Sequence, residues 1–389
     1  MQKQLFDKID TYFLEMQAIR RHLHMHPELS FQETQTALYI QKFYNDLGIP
    51  IKTNVGGNGI VARIRGGHPG KTVALRADFD ALPIQDEKDV PYKSKVPGVM
   101  HACGHDGHTA TLLILGKILW EMREQLTGEY VLIHQHAEEL DPGGAIGMIE
   151  AGCLDGVDVI FGTHLSSNYE TGKVGYRVGP MMAACDSFSL TIQGKGGHGA
   201  HPDQTKDSIV IGSQLINTWQ QLVSRRVNPI ESAVLSVGSF IAENANNVIA
   251  DQAKLSGTIR SFSKDVRALM EREFKRVLDG TCITHDCSYT LNYQRGYPAV
   301  VNHPKETLLV RDVARKISDV NEVFEMEPTM GGEDFAYYLE QIPGTFFYTG
   351  AAPAEPVPHH HPHFDIDERG MVVAAKVLAA AALEYQEVN

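Results

Sequence analysis

Phe6, Ile9, Phe13, Met16, Ile19 and Leu23 recur three or four residues apart, so the chain is expected to open on one amphipathic helix. A second helix is expected over 32–47, with Gly48 at its C-terminal end. Short apolar runs follow: GIVARI from Gly59, TVALRAD from Thr72, EYVLIHQ from Glu129 and VDVIFGTH from Val157. Helical stretches at 109–124 and 144–151 separate the later runs. Strands alternating with helices imply an α/β layered sheet.

The texture changes near Gly179. From Ser187 the order is strand (SFSLTIQG), helix (207–223), strand (SAVLSVGSF), strand (AKLSGTIR), helix (264–278) and strand (CSYTLNY). That order is a small α+β sandwich complete in itself. After Tyr297-Pro298 the α/β texture resumes with a helix at 306–317, the strand TFFYTG and a closing helix after Glu368. The expected organisation is therefore one domain over 1–182 and 298–389, interrupted by an inserted domain over 183–297.

Composition narrows the possible partners. At 389 residues, 43% of them hydrophobic, the chain is long enough for two cores. A net charge of -13 argues against nucleic acid or an anionic membrane surface as the main partner, since both need a basic patch. No stretch reaches the roughly 18 uninterrupted apolar residues that a membrane span needs. The richest one, MVVAAKVLAAAALEY from Met371, is broken by Lys376 and is expected to be a buried helix. MQKQLFDKID has no apolar run resembling a signal peptide, and five thinly spread cysteines do not make a disulfide framework. A cytoplasmic protein is expected, with Cys153, Cys185, Cys282 and Cys287 as packing residues.

Candidate chemistry lies in the electron-pair donors. Fifteen of the eighteen histidines cluster at 22/24/26, 101/105/108, 134/136/164, 198/201 and 359/360/361/363, leaving His68, His285 and His303 outside. A single histidine is most often a surface or hydrogen-bonded core residue. Clusters beside acids or thiols at strand ends point instead to a site, because α/β proteins collect ligands at the carboxyl ends of their strands. In HACGHDGH, residues 101–108, an extended backbone would point Cys103 and His105 the same way, toward one centre. Thiolate plus imidazole suits a borderline-soft cation such as zinc. The helix that follows would also stabilise a thiolate, so the motif alone allows a metal ligand, a nucleophilic Cys103 with a histidine base, or a structural role. Glu138 and Glu139 follow the strand EYVLIHQ and precede the turn Asp141-Pro142-Gly143-Gly144. Paired glutamates often just solvate a helix face, but at a strand end one can bind a cation while the other moves protons. His164 ends VDVIFGTH, and the run from His359 is internal and continues into PHFDIDE, so it is no purification tag.

Eight segments then appear in the order seen in one family: RADFDALPI, MHACGHDGHTA, QHAEE, GTHL, GKGGHGAHP, NVI followed by LSGTIRS, GGEDFAYY and HHPHFDIDE. From about Arg20 to the closing helix the chain resembles the metal-dependent amidohydrolases of hippurate, N-acyl amino acids and auxin–amino-acid conjugates. These belong to the aminoacylase and glutamate-carboxypeptidase clan. The resemblance implies an α/β, di-metal peptidase-like catalytic domain carrying an inserted α+β, ferredoxin-like domain that serves as lid and dimer surface. It implies hydrolysis of N-acetyl or aromatic N-acyl amino acids to a carboxylate and a free amino acid. Dipeptides are the alternative substrates, and a cysteine hydrolase using Cys103 is the alternative mechanism.

Carried over to this sequence, the resemblance implies two divalent metal ions per subunit, zinc or manganese with nickel or cobalt as alternatives. Cys103, His105, Glu139, His164 and His360 would hold them, His360 being chosen because His-x-Pro-x-Phe fits His360, Pro362 and Phe364. Glu138 would be the general base, His198 would steady the oxyanion, and Asp80 would support the site. Asn247 and Arg260 would meet the substrate carboxylate, Gly331 and Gly332 would line the pocket, and the subunits would pair as a homodimer. The chain departs from the pattern at His136 and Ala250, where proline is usual. Asp78-Phe79-Asp80 also stands where the wider clan has His-x-Asp.

Overall fold

The computed structural model describes residues 1–388. They form two units: one from residues 1–179, 301–327 and the chain from Asp334 onward, the other from 180–300 and 328–333. The first unit opens on α1 (Gln2–Thr11), α2 (Phe13–Met25) and α3 (Thr34–Leu47). The single helix expected at the start is thus two. The apolar period runs through both, and Leu5, Ile9, Met16, Ile19 and Leu23 are all buried. The break falls at Tyr12 (φ -88°, ψ 8°), whose hydroxyl donates to Glu121 Oε1 at 2.7 Å. Periodicity marks the buried face; it does not register where the backbone turns.

The strands of the first part are β1 (Ile51–Val55), β2 (Gly59–Arg65), β3 (His68–Asp78), β4 (Thr127–Gln135), β5 (Val159–Glu170) and β6 (Lys173–Tyr176). Short strands β7 (Gly179–Met182) and, much later, β14 (Val300–Asn302) stand where the chain passes between units. Between them come β8 (Ala184–Gln193), β9 (Gly197–His198), β10 (Ala233–Ile241), β11 (Val248–Ile249), β12 (Gln252–Ser261) and β13 (Ser288–Arg295). β15 (Glu322–Glu325) and β16 (Gly344–Ala352) complete the first unit's sheet, whose order is β1-β2-β4-β3-β5-β16-β6-β15. β3 runs parallel to β4 and β5, and β5 parallel to β16. These interior strands read as unbroken apolar runs because both of their faces are covered. Helices α4 (His105–Met122) and α10 (Arg369–Val388) lie against β3 and β5. Lys376, the interruption in α10, is buried and pairs with Asp10 (2.7 Å) and Asp319 (2.6 Å). Short helices α5 (Gly144–Glu150), α8 (Pro304–Ala314) and α9 (Ala336–Leu339) complete this unit. Among the described residues no helix is long and apolar enough to cross a membrane.

In the second unit β10-β12-β8-β13 form an antiparallel sheet, packed with α6 (Ser208–Arg225) and α7 (Lys264–Thr284) around one core. Along β8, Phe188, Leu190 and Ile192 are buried while Ser187 and Ser189 are exposed, the alternation of a sheet covered on one face. Trp219 of α6 stacks on Phe274 of α7 with ring centres 4.1 Å apart. Asp207 and Ser263 cap the two helices through their side chains.

Candidate metal centre

The site is built where β3 and β4 end. Phe79 N donates to Gln135 O (3.0 Å), holding the segment after β3 beside that after β4. Asp80 follows the first strand, Glu138 and Glu139 the second. HACGHDGH is not extended as expected. Gly104 takes φ 96°, a left-handed conformation suited to glycine, and α4 begins at once with His105 rather than at Thr109. Gly107 N and His108 N close the first turn onto Gly104 O at 2.9 and 3.0 Å.

That turn separates Cys103 from His105. Cys103 Sγ lies 3.4 Å from His164 Nε2, and ligand atoms of Cys103, Glu139 and His360 all lie within 4.8 Å of one another. His105 forms a second such group with Glu138 and Glu139. Among the described residues no group of this kind contains both Cys103 and His105, so the expected shared grip is replaced by two donor groups with Glu139 in common. His360 Nε2 stands 3.1 Å and His105 Nε2 3.9 Å from Glu139 Oε1. The His360 side chain is half-exposed at 50%, Glu139 is partly exposed, and Cys103, His105, Glu138 and His164 are buried, which leaves the site open on one side.

Asp80 anchors both groups from behind. Its carboxylate accepts from Ser30 Oγ (2.7 Å) and Glu139 N (2.9 Å), and His105 Nδ1 lies 3.1 Å away. Burial alone would raise the Asp80 carboxyl, but the bonds from His105, Glu139 N and Ser30 hold it below its usual range. Burial lowers the His105 imidazole, yet Asp78 and Asp80 outweigh that and push it up to about 10. Burial drives His164 well below the usual histidine range. Burial, with Glu139 and Glu138 close by, drives the Cys103 thiol well above its own, which disfavours an unaided thiolate nucleophile.

The donor chemistry fits divalent cations. His105 Nε2 is buried without a hydrogen-bond partner while its Nδ1 is fixed by Asp80, the usual arrangement of a ligating imidazole and its supporting carboxylate. A thiol, imidazoles and carboxylates at this spacing are the ligand types of zinc and neighbouring transition metals.

Three further residues join the site that sequence reasoning did not select. His359 Nδ1 or Nε2 groups with Cys103 and His164, and burial lowers its imidazole to about 4. His108 Nδ1 lies 2.6 Å from Asp78 Oδ1, and His108 Nε2 accepts from Leu165 N at 2.9 Å. Asp78 also receives Arg76 Nη1 at 2.6 Å. The signals were present in HHHPHF, HDGH and RADFD, but the motif His-x-Pro-x-Phe admits only one histidine of its run.

The other expected site residues lie in the second unit. His198, exposed on β9, pairs across to Val248 of β11, and its Nδ1 accepts from Ala200 N at 3.1 Å. Asn247 is brought beside it: its carbonyl accepts from Gly199 N at 2.7 Å. Arg260 of β12 faces Cys185 across the ladder, with its guanidinium on the thiol, and Gly332 packs against the same sulfur. Cys185 is therefore not the buried packing residue expected of it, and Cys287 is likewise partly exposed. Cys153 and Cys282 are buried. Gly331 lies near Met182 Cε, which a Cβ there would meet at 3.4 Å.

A model of peptidase family M20/M25/M40 matches residues 74–384. N-acyl-L-amino acid amidohydrolase of Geobacillus stearothermophilus is 48% identical over 306 residues, covering 77% of this chain and 80% of that protein. N-acetyl-L-cysteine deacetylase of Bacillus subtilis is 40% identical over 381 residues, with coverage of 98% and 90%. The crystal structure of Bacillus subtilis YXEP, described as a dinuclear metal binding peptidase of this family, matches with a TM-score of 0.85 at 34% identity. It covers 98% of this chain and 99% of that one.

Proposed function

The chain belongs to peptidase family M20/M25/M40, and we propose that it is a metallo-amidohydrolase cleaving N-acyl amino acids to a carboxylate and a free amino acid. One observation carries this reading: two donor groups share Glu139, and of the two Glu138 belongs only to the one with His105. A carboxylate shared by both groups can serve two cations at once. Cys103, His164 and His360 supply one side, with His359 adjoining, and His105 supplies the other. The thiol favours a borderline-soft ion, zinc ahead of manganese. Two bound cations would polarise the acyl carbonyl and lower the pKa of attacking water from ~16 toward about 7.

Glu138 takes one proton from that water as its oxygen bonds to the acyl carbon. It returns the proton to the nitrogen as the C–N bond breaks, so one carboxylate serves both halves of the reaction. Asp80 fixes the His105 ring and the Glu139 backbone and so holds the two donor groups in register. In the inserted unit we assign His198 to the oxyanion, Asn247 and Arg260 to the substrate's carboxylate, and Gly331 and Gly332 to the pocket wall. We assign that unit the dimer surface as well. The thin spread of cysteines supports a cytoplasmic setting.

Glu138→Gln tests the central assignment. It should lower kcat by about 100- to 10,000-fold with metals still bound, and wild-type turnover in the metal-loaded variant refutes it. Light scattering should show a dimer at micromolar concentration, and a monomer there refutes the assigned dimer surface.

A further inference from the structure

We propose that Glu33 is a positioning residue that locks the turn presenting Glu138 and Glu139, and so sets the geometry of proton transfer. The inference rests on the assignment of Glu138 as the base.

Glu33 stands at the N-terminal boundary of α3, where an acidic side chain commonly caps its own helix. Here it makes no cap bond. Glu28 does that work instead, accepting from Thr36 N (2.8 Å) and Gln35 N (3.1 Å). Glu33 is left to reach across the fold, and it is wholly buried. Its Oε1 accepts from Ala137 N at 2.8 Å and its Oε2 from Asn58 Nδ2 at 3.0 Å.

Ala137 explains why such a residue is needed. It immediately precedes Glu138 and has φ 52°, a left-handed conformation that residues with a Cβ rarely adopt. Such strain persists only where the surroundings over-determine it. Three bonds do so: Glu33 holds Ala137 N, Gly144 N donates to Ala137 O (3.0 Å), and Asp80 holds Glu139 N (2.9 Å). Glu33 and Asp80 thus grip alternate amides of one turn, and Glu138 lies between the two grips. Without Glu33, the buried Ala137 N–H loses its acceptor and the backbone can relax toward negative φ. The peptide that aims Glu138 would swing with it. A buried carboxyl group is costly to keep for one backbone and one side-chain amide, which marks the position as more than filler.

The test compares Glu33→Ala, Glu33→Asp and Glu33→Gln in the full-length metal-loaded protein, with N-acetyl-L-methionine as probe and bound metal measured by elemental analysis. Glu33→Ala should lower kcat about 10- to 100-fold, the scale of a misplacement near 1 Å, with KM within about twofold and metal content unchanged. Glu33→Gln keeps an oxygen for Ala137 N and should regain most of the loss. Glu33→Asp keeps the carboxyl group but shortens the reach, and should lose kcat with metals retained; it carries the test if Glu33→Ala does not fold. Wild-type kcat in Glu33→Ala or Glu33→Asp overturns the inference, and so does loss of activity only in proportion to lost metal. Glu138→Gln in the same assay separates the two failures. If it is inactive while Glu33→Ala is normal, only the positioning role falls; if it is fully active, the base assignment falls and this role with it.

Discussion

Replacing Arg20 with methionine removes a fully buried guanidinium that faces three carboxylates. Asp106 Oδ2 lies 2.9 Å from its Nε, Asp365 Oδ1 2.8 Å from Nη2 and Glu368 Oε1 3.3 Å from Nη1. The partners differ in what they can recover. Glu368 also accepts from Arg21 at 2.9 and 2.7 Å, and Asp365 accepts from Tyr92 at 2.8 Å, so neither is stranded. Asp106 has a side chain with 0% exposure and would keep the His24 Nδ1 contact at 2.7 Å and the bond from Gly107 N at 2.9 Å, but no guanidinium. Burial would raise its carboxyl, and Arg20 leads the groups that hold it well below the usual range. Losing one partner of a buried pair costs about 3–5 kcal/mol, because the remaining charge is neither paired nor hydrated. The methionine stem fills much of the vacated space, which favours the lower half of that range. Urea unfolding followed through Trp120, which lies in the first unit, should therefore show a loss of about 3–4 kcal/mol. Arg20→Met combined with Asp106→Asn should lose at least ~1 kcal/mol less than the sum of the single variants, since the stranded charge is then gone. A single-variant loss under about 1 kcal/mol, or strict additivity in the double variant, refutes this account.

Dialysis against a chelator should abolish turnover, and added zinc or manganese should restore it; full activity in the metal-free protein would favour the thiol mechanism instead. Cys103→Ser should lower the metal content found by elemental analysis while circular dichroism stays unchanged, and undiminished metal binding refutes Cys103 as a ligand. His134 is buried and burial lowers its imidazole from the usual 6.5 to about 3. The folded value lies below the unfolded one, so its contribution to stability is present above pH 6.5 and is lost as pH falls from there toward 3. His134→Gln should remove up to about 1.4 kcal/mol per pH unit from the acid-side slope of stability; equal slopes between pH 5 and 6.5 in urea titrations refute it.

The interior of the first unit's sheet was legible because VALRAD and VIFGTH are covered on both faces and read as plain apolar runs. Strands at the sheet's margin, such as IKTNV in β1 and EVFE in β15, carry mixed polarity and gave no signal. The donors were legible as chemistry but not as geometry. Nothing in HACGHDGH announces that Gly104 turns the chain at φ 96°, and that turn assigns Cys103 and His105 to different groups. His359 was passed over because its proximity to Cys103 depends on the backbone between β16 and α10, which has no period to read. Glu33 was invisible for a similar reason: its partner is an amide 104 residues away in the chain.

β16 lies between β5 and β6 in the sheet, although both of those strands and the entire second unit precede it in the chain. During synthesis the nascent sheet therefore waits with a vacant slot, two inward-facing edges unpaired until residues 344–352 emerge. His360 emerges later still, so a ribosome that stalls before the last few dozen codons releases a product that lacks His360 and has two strand edges open to foreign chains. Premature termination in this gene should register as aggregation rather than as a weakened enzyme.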